Sequence, residues 1–485
     1  MQHKNWGLYR RYVILLLLLS LLTACGTPDN GTVPSETSGQ KELWIVMDAN
    51  YAIELGGPIG EFYSEHPGVT VTLETFPQNA EEREVYLQQL RVQIMAGKGP
   101  DIYLMSQYSD LFQNVTQSMH NGLFLDISDY YDADTELNKD AFAPAVMEAG
   151  VLDGTRYVLP LRYDLPILYV DVEKLEGAGL KPECLGNGLA GLEEVARALG
   201  SNAVTADCGI YMSLLCYFPE VFDYKTDNVI LAEEEMEQFL GSYQSLLACL
   251  GGTPYSYYIT SCASYVYRDE YWANRYHANM WDGPGAFREI LGEDECCVNW
   301  SSLSTLHHEL RIARATDTEL AVLPVRATDG SLVASITAYG AVSTSCDDPG
   351  LAYEFLRNML LEESQWAKDK AIGWPVLTEG YEAVVDEDLM GSIAVSFANL
   401  DEEDLVEGYE KRQEAMEAVI LTKNDYPVLN EEIDRAIFPL SNLEEIENQI
   451  THILDPSYNP DAPNVDIHEF AQELLRDLRI RLAEG

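Results

Sequence analysis

The chain has 485 residues, of which 80 are acidic and 30 are basic, so its formal net charge is −50. Phosphate backbones and anionic lipid headgroups are repelled by this charge, which excludes nucleic acid as a partner and electrostatic attachment to a membrane. Hydrophobic residues make up 47% of the chain, as in ordinary globular proteins. Because the length exceeds one hydrophobic core of typical size, we expect at least two lobes.

The N-terminus has the parts of an export signal. A basic start precedes an apolar run from Val13 to Ala24, which as a helix would reach only ~18 Å and cannot cross the ~30 Å hydrocarbon core. The stretch Leu22-Thr23-Ala24-Cys25 resembles a bacterial lipobox, in which the cysteine thiol takes up a diacylglyceryl group. We predict a lipoprotein signal peptide over 1–24 and lipid attachment, including palmitate, at Cys25. The alternative is an ordinary signal cleavage that leaves the Cys25 thiol unmodified.

The stretch that follows is typical of a flexible linker. Residues 26–40 read GTPDNGTVPSETSGQ, rich in Gly, Pro, Ser and Thr, with no apolar period. We predict a tether over 25–41 that reaches about 20 Å. The folded body would then stand at the outer face of the cell membrane, held there by its lipid.

The body opens with strands and helices in alternation. KELWIVMD and the segment EHPGVTVTLETF read as strands, a helix follows between Ala80 and Gly97, and DIYLM reads as a buried strand. This order predicts an α/β lobe with a largely parallel sheet. Ligands bind such sheets beyond the carboxyl ends of the strands, so the first places to look are Asp48 to Tyr51 and Ser106 to Tyr108.

Two later segments predict amphipathic helices. DDPGLAYEFLRNMLLEESQ begins with Asp348 as the N-cap and Pro349 at the first helical position. The C-terminal segment DIHEFAQELLRDLRIRLAEG begins with a capping-box pattern, Asp466-x-x-Glu469, and carries its apolar residues on one face. We therefore expect the chain to end in a helix that packs on a lobe.

Five stretches in order resemble one protein family. They are AGKGPDIYLM, LDGTRYVLPLRYDLPILYVDVEKLEGAGL, GLEEVARALG, MWDGPGAF, and the run from Glu319 to Gln365 that leads to GWPVLTEG. Together they resemble the extracellular solute-binding proteins, family 1, of ABC importers, a family that includes sugar-binding lipoproteins. The chain departs from the family pattern at Ala338-Tyr339-Gly340, where a Gly-Gly pair is usual, and at Asp282, where Asn is usual.

The resemblance implies an α/β, two-lobe fold of the periplasmic-binding-protein type (type II), with hinge strands between the lobes. The N-terminal lobe would comprise 42–159 and 337–374, and the C-terminal lobe 160–336 and 375–485. The crossings would fall near Leu159-Pro160, Ala334 to Thr337 and Trp374-Pro375. The acidic region from Glu379 to Pro463 does not align with the family, so its topology stays open.

A sugar presents hydroxyls at its rim and weakly apolar C–H faces, so its site needs carboxylates or amides and an aromatic ring. The residues that we predict to bind the ligand lie after strands, at crossings and in the MWDGP turn: Asp48, Tyr51, Gln107, Arg162, Tyr163, Trp281, Asp282, Tyr339 and Trp374. For the aromatic residues the alternative is packing between the lobes. Arg162 would equally suit bidentate binding of a carboxylate ligand.

Catalysis and metal binding have little support in the sequence. No CxxC, HxxxH, HExxH or GxSxG pattern is present, so we predict no metal site, no cofactor and no nucleophilic hydrolase. A glycoside hydrolase needs only two carboxylates, but close acidic pairs arise freely in so acidic a chain. Apart from Cys25, we expect the eight cysteines to be buried thiols with one or two disulfides.

The favoured function is therefore capture of a carbohydrate, an oligosaccharide before others, for an ABC permease. The protein would be a monomer and not an enzyme. One alternative is a ligand-sensing surface lipoprotein of the same fold, and another is a binder of a non-sugar solute such as a peptide or carboxylate. A secreted glycoside hydrolase ranks below both.

Overall fold

A computed structural model describes the chain over residues 41–48, 56–77, 79–106, 109–112, 114–206, 214–218, 220–252, 296–302, 319–361, 374–377 and 433–484. The predicted signal peptide, Cys25, the tether up to residue 40 and most of the acidic region lie outside these ranges. Within the described residues, no helix combines the length and the apolar character that a membrane crossing needs.

The described strands and helices follow one another through both lobes. The strands are β1 Lys41–Met47, β2 Val69–Thr75, β3 Ile102–Ser106, β4 Val151–Leu152, β5 Thr155–Arg156, β6 Val158–Asp164, β7 Pro166–Asp171, β8 Val204–Ala206, β9 Phe222–Asp223, β10 Asn228–Val229, β11 Val298–Ser302, β12 Leu320–Pro324, β13 Ser335–Val342 and β14 Trp374–Pro375. The helices are α1 Gly56–Glu65, α2 Ala80–Met95, α3 Val115–His120, α4 Ser128–Ala133, α5 Pro144–Glu148, α6 Val172–Gly177, α7 Leu189–Leu199, α8 Leu214–Tyr217, α9 Glu233–Leu250, α10 Pro349–Asn358, α11 Glu444–Leu454 and α12 Ile467–Glu484.

The first sheet has the strand order β14-β6-β13-β3-β1-β2. Strands β1 and β3 pair in parallel, as the sequence predicts, but β13 pairs antiparallel with both β3 and β6. The sheet is therefore mixed rather than largely parallel. The reason is topological: β13 follows β12 of the other sheet, so the chain re-enters the first sheet at the edge where β3 and β6 end, and it must run against them.

The second sheet has the strand order β12-β7-β11-β8. Strand β11 pairs antiparallel with β7 and in parallel with β8. Its centre is Trp300, which is 1% exposed and aligns with Leu168 of β7 and Ala206 of β8. The second sheet thus draws its four strands from four separate parts of the chain.

Two hydrophobic cores accompany the two sheets. The first contains Ile45, Leu104 and Phe355, and the second contains Trp300 and Leu474 together with side chains of α7, α9 and α11. The first core draws mainly on the first sheet and the second core on the second sheet, although Ile167 and Tyr169 of β7 pack in the first core. The structure confirms the predicted α/β, two-lobe class.

The chain passes from one sheet to the other at points where its buried residues change from one core to the other. Strand β6 ends at Asp164 and β7 begins at Pro166. Val325 packs in the second core and Leu332 in the first. Leu440 packs in the first core, and Leu443, three residues later, packs in the second. We therefore propose crossings at 164–166, 325–332 and 440–443.

These crossings modify the lobe division expected from the sequence. Residues between Val158 and Asp164, beyond the expected boundary at Leu159-Pro160, form β6 of the first sheet. Trp374 and Leu377 pack in the first core, as does Ile433. We propose that 160–164, 333–336, 375–377 and 433–440 belong with the first lobe. The boundaries themselves stay a proposal.

Three helices form where the sequence predicts them. Helix α2 begins after Asn79, whose side chain accepts hydrogen bonds from the backbone N–H groups of Glu81 and Glu82, and it ends before Gly97 at φ +66°. At the start of α10, the Asp348 carboxylate accepts the N–H of Leu351 at 3.2 Å. At the start of α12, Asp466 accepts the N–H of Glu469, also at 3.2 Å.

Candidate functional site

Asp48 continues β1 at the carboxyl edge of the first sheet. Its backbone N–H donates to the carbonyl oxygen of Leu104 at 3.1 Å, so the residue stays beside β3. Its Oδ2 accepts hydrogen bonds from the backbone N–H of Ser106 at 2.9 Å and from Ser106 Oγ at 3.0 Å. Asp48 is only 3% exposed. The sequence predicted a polar site at the ends of these two strands, and the structure joins them through this carboxylate.

A guanidinium group lies on the other side of the carboxylate. Arg83 Nη2 is 4.0 Å from Asp48 Oδ1, and Arg83 Nε is 3.3 Å from Asp110 Oδ2. The same guanidinium lies over the ring of Phe76, 5.7 Å from its centroid. One cation therefore faces two carboxylates, of which Asp48 is buried and Asp110 is half exposed.

Burial controls the ionisation of Asp48. Loss of solvent raises the pKa of its carboxyl from 3.8 to about 6, although the two hydrogen bonds from Ser106 and the charge of Arg83 act in the opposite direction. The ordinary carboxylate of an exposed aspartate is fully ionised at pH 6. Asp48 instead gains or loses its proton near pH 6.

A single row of residues continues from this carboxylate across the sheet. Ser106 of β3 aligns with Ala338 of β13, Ala338 aligns with Arg162 of β6, and Arg162 aligns with Pro375 of β14. Four distant segments of the chain thus meet in one row. The row lies at the edge where β6 leaves for the second sheet.

Tyr339 follows Ala338 in β13 and is fully buried. Burial, with the nearby charge of Asp48, raises the pKa of its phenol well above the usual value, so the hydroxyl keeps its proton. Within the described residues, that hydroxyl has no hydrogen-bond partner. Asp48 and Tyr339 therefore supply an acceptor and a donor in the same electrostatic environment.

Gly340, the next residue, keeps this part of β13 close to α10. A Cβ atom built on Gly340 would lie 2.5 Å from Leu356 Cδ2, closer than packed carbon atoms approach. The stretch Ala338-Tyr339-Gly340 therefore has a glycine where α10 packs against the strand.

The other described candidates lie in the neighbouring strands. Tyr163 of β6 aligns with Trp374 of β14, and both side chains are buried in the first core together with the half-buried Phe438. The ring of Tyr163 meets that of Phe438 edge to face at a centroid distance of 6.2 Å. Arg162 is buried as well. For the two aromatic residues, the contacts are those of the packing alternative that the sequence left open.

Four candidates, Tyr51, Gln107, Trp281 and Asp282, lie outside the described residues. Two residues that belong to the site, Arg83 and Asp110, were not identified from the sequence. A usable signal was present for Arg83, because it lies in the first turn of a helix that follows a strand. In a strand-helix-strand unit, that turn lies at the carboxyl edge of the sheet.

Five cysteines of the described part of the chain are free thiols: Cys184, Cys249, Cys296, Cys297 and Cys346. Burial raises the pKa of the Cys297 and Cys346 thiols to about 12, so both are unreactive at neutral pH. The side chains of Cys208, Cys216 and Cys262 are outside the described part. The expected disulfides are thus absent among these five.

Residues 49–188 match the family model described as bacterial extracellular solute-binding protein. The match spans α2, β3 and β6, which carry Arg83, Ser106 and Arg162, and it confirms the resemblance seen in the sequence. A comparison with curated proteins gave no match.

Several solved structures share the fold of this chain. An extracellular solute-binding protein family 1 from Alicyclobacillus acidocaldarius superposes with a TM-score of 0.52 at 15% identity, covering 91% of this chain and 98% of its own. A periplasmic solute binding protein from Pectobacterium atrosepticum gives 0.51 at 16% identity, with coverage of 92% and 99%. A designed esterase gives 0.51 at 15%, with 91% and 98%. Because a designed esterase shares the fold, the fold alone does not decide between binding and catalysis.

Proposed function

We propose that the protein is a lipid-anchored, extracellular solute-binding protein of an ABC importer, which captures a carbohydrate between its lobes and delivers it to the permease. One observation carries this proposal: Asp48, Ser106, Tyr339 and Arg162 come from four separate segments of the chain and lie near the edge where the chain crosses to the second sheet. The family match over residues 49–188 supports the same conclusion.

The arrangement of the two cores suits capture by closure. Each lobe has its own sheet, and most of the buried side chains of each sheet pack in a core of their own, so we expect each lobe to move largely as a rigid body. Short crossings such as 164–166 can take up the change in backbone angles between an open and a closed form. A ligand at the edge of the first sheet would then be enclosed by the second lobe.

The chemistry of the edge favours a polyhydroxylated ligand. The Asp48 carboxylate accepts hydrogen bonds and the neutral Tyr339 phenol donates one, which is the pairing that a sugar hydroxyl satisfies. Trp281 would supply the aromatic face, and an oligosaccharide is the favoured size. The competing ligand is a carboxylate bound by Arg162, which would need no aromatic face.

Binding without chemistry is the reaction class that we propose. The glycoside hydrolase alternative predicts that an oligosaccharide incubated with the protein is shortened, whereas a solute-binding protein returns it unchanged. Chromatography of the recovered glycan separates the two. Product formation at a rate that Asp48→Asn abolishes would favour the hydrolase.

Calorimetry with a panel of mono- and oligosaccharides tests the substrate class. We expect saturable heat with at least one glycan, and a smaller radius of gyration in solution scattering when that glycan is present. Heat with a peptide, a polyamine or a phosphate ester but with no sugar would assign another solute. An unchanged scattering profile with every bound ligand would contradict closure.

The lipid anchor and the transport role need separate experiments. Replacing Cys25 by Ser removes the acceptor thiol, so we expect the protein to leave the membrane fraction and appear in the medium or periplasm. A variant that stays on the membrane would contradict the anchor. Genes for two permease subunits beside this gene would favour import, and a histidine kinase gene would favour the sensing alternative.

A further inference from the structure

Helices α9 and α12 pack together in the second core, far along the chain from the family match. Met236 and Leu240 of α9 and Leu474 and Leu478 of α12 are fully buried there. Buried contacts of this kind fix the two backbones relative to each other. Side chains on the exposed rim of this helix pair are therefore held at defined separations.

Four polar side chains occupy that rim, two from each helix at the i, i+4 spacing that places residues on one face. Glu233 and Glu237 come from the first turns of α9, and His468 and Gln472 from the first turns of α12. His468 Nδ1 lies 2.6 Å from Glu237 Oε1 and 3.4 Å from Glu233 Oε1. One ligand atom from each of the three residues lies within 4.8 Å of the others.

These separations fit a tetrahedral metal ion. Ligands at about 2.0–2.1 Å from such an ion are about 3.3 Å apart, so the contact between His468 and Glu233 already has the required length and the contact between His468 and Glu237 has to open slightly. The Gln472 amide also contacts the group: its Nε2 donates to Glu233 Oε1 at 2.8 Å and lies 3.2 Å from His468 Nε2. An ion on His468 Nδ1 leaves the ring proton on Nε2, so this amide has to turn its oxygen toward that nitrogen, because the second nitrogen of a metal-bound histidine donates to its partner.

The donor set selects the class of ion. One imidazole nitrogen with two carboxylate oxygens suits Zn²⁺ and its neighbours in the first transition row, whereas Ca²⁺ and Mg²⁺ prefer oxygen donors alone. The formal charge of −50 concentrates cations at the surface of the protein.

We propose that Glu233, Glu237 and His468 form a binding site for a divalent transition metal such as Zn²⁺, which links α9 to the C-terminal helix of the second lobe. Water completes the coordination, because the three side chains lie at the surface. The ion displaces the proton that His468 Nδ1 shares with Glu237. This site is independent of the ligand site at Asp48, and its role is to hold the end of the chain in place.

Zinc titration of the full-length protein, stripped with EDTA, tests the proposal. At pH 7.5 we expect a micromolar site whose affinity falls at least tenfold in His468→Ala and in Glu237→Gln. The matched control is Glu234→Gln, which removes an exposed carboxylate from the same helical turn and should leave the affinity unchanged. Zinc should also raise the Tm of the wild type and of the control, but not of the two site variants.

Cobalt and competing ions define the donors. Co²⁺ bound at this site should give visible d–d bands without the near-ultraviolet charge-transfer band of thiolate ligands, which separates it from binding at the cysteines. Equal zinc affinity in the wild type and in folded His468→Ala, a thiolate band that both variants retain, or displacement of zinc by equimolar Ca²⁺ would each overturn the proposal.

Discussion

Two groups of carboxylates in this molecule, one buried and one exposed, show what burial does to charge. Asp48 is 3% exposed and faces the guanidinium of Arg83, whereas the side chains of Glu233 and Glu237 are 45% and 35% exposed and face the imidazole of His468. At Asp48, desolvation outweighs the nearby cation and raises the pKa of the carboxyl. At the surface, Glu237 raises the pKa of His468 instead.

The difference matters for function. A buried carboxylate with few fixed hydrogen bonds distinguishes ligands that can satisfy it from those that cannot, because an unsatisfied partner is costly. An exposed carboxylate pair is solvated with or without a ligand, so it responds to cations and pH rather than to shape. We therefore expect solute recognition at the first region and ion binding at the second.

The largest expected effect is the pH dependence that Asp48 gives to the free energy of unfolding. The pKa of Asp48 rises from 3.8 when unfolded to about 6 when folded, so between these values the folded state binds more protons than the unfolded state. Stability then falls as pH rises. Relative to Asp48→Asn, the free energy of unfolding should drop by up to about 3 kcal/mol between pH 4 and pH 7, at 1.36 kcal/mol per pKa unit.

Denaturant unfolding at several pH values measures this difference. Subtracting the Asp48→Asn data removes the contribution of the other acidic residues. Asp140→Asn, at an exposed position of the same lobe, should show no such pH-dependent difference from the wild type. A difference between wild type and Asp48→Asn that stays constant from pH 4 to pH 7 would show that Asp48 ionises normally.

The next effect is on ligand affinity. Asp48→Asn keeps the shape of the side chain but removes the charge, and hydrogen bonds to charged groups contribute about 1.5–3 kcal/mol. We expect the affinity for the bound sugar to fall ten- to a hundredfold, and in the wild type to weaken below pH 6. Calorimetry at pH 5 and pH 7.5 measures both. Equal affinity of the variant and the wild type would remove Asp48 from the site.

A smaller effect is expected at the neighbouring phenol. Tyr339→Phe removes a buried hydroxyl that has no partner among the described residues, so stability should stay the same or rise by up to about 1 kcal/mol. Affinity for a sugar should fall severalfold because the donor is lost. Calorimetry and denaturant unfolding separate the two results.

The matched control is Tyr353→Phe. The Tyr353 hydroxyl donates to Asp134 Oδ2 at 3.0 Å, so its removal should lower stability by about 1 kcal/mol without changing affinity. If Tyr339→Phe instead loses stability as Tyr353→Phe does while binding is unaffected, the phenol has a structural role only.

The smallest effect belongs to the exposed ion pair. Contact with Glu237 raises the pKa of His468, so any stabilisation is fully present below the ordinary histidine pKa and is lost as pH rises through the raised value. Without metal, His468→Gln should therefore lower the Tm slightly at pH 5.5 and leave it unchanged at pH 8.5. A larger loss at pH 8.5 than at pH 5.5 would reverse the assigned sign.

Local patterns predicted the helices and the first strands well. Asn79 and Gly97 bound α2, and the Asp348 and Asp466 caps begin α10 and α12, because these signals act within one turn of helix. Asp48 could be found for a related reason: a polar residue directly after a buried strand must lie at the edge of the sheet.

Such local patterns do not predict which strands pair when they lie far apart in the chain. The antiparallel entry of β13 between β3 and β6 depends on where the chain returns from the second sheet, over 200 residues after β3. The expected crossings at Leu159-Pro160 and Trp374-Pro375 followed the family motifs, whereas the cores place these residues in the first sheet. Nothing in the spacing of Glu233 and His468 indicates that they touch.

The sequence by itself determined the α/β class, the helix ends and the family resemblance, since each depends on residues close together in the chain. Only the tertiary structure decided that Arg83 faces Asp48, that Ser106, Ala338 and Arg162 share one row, and that His468 meets Glu237. The physical reason is that burial, pKa and ligand geometry arise between segments, and the packing of two cores sets those distances.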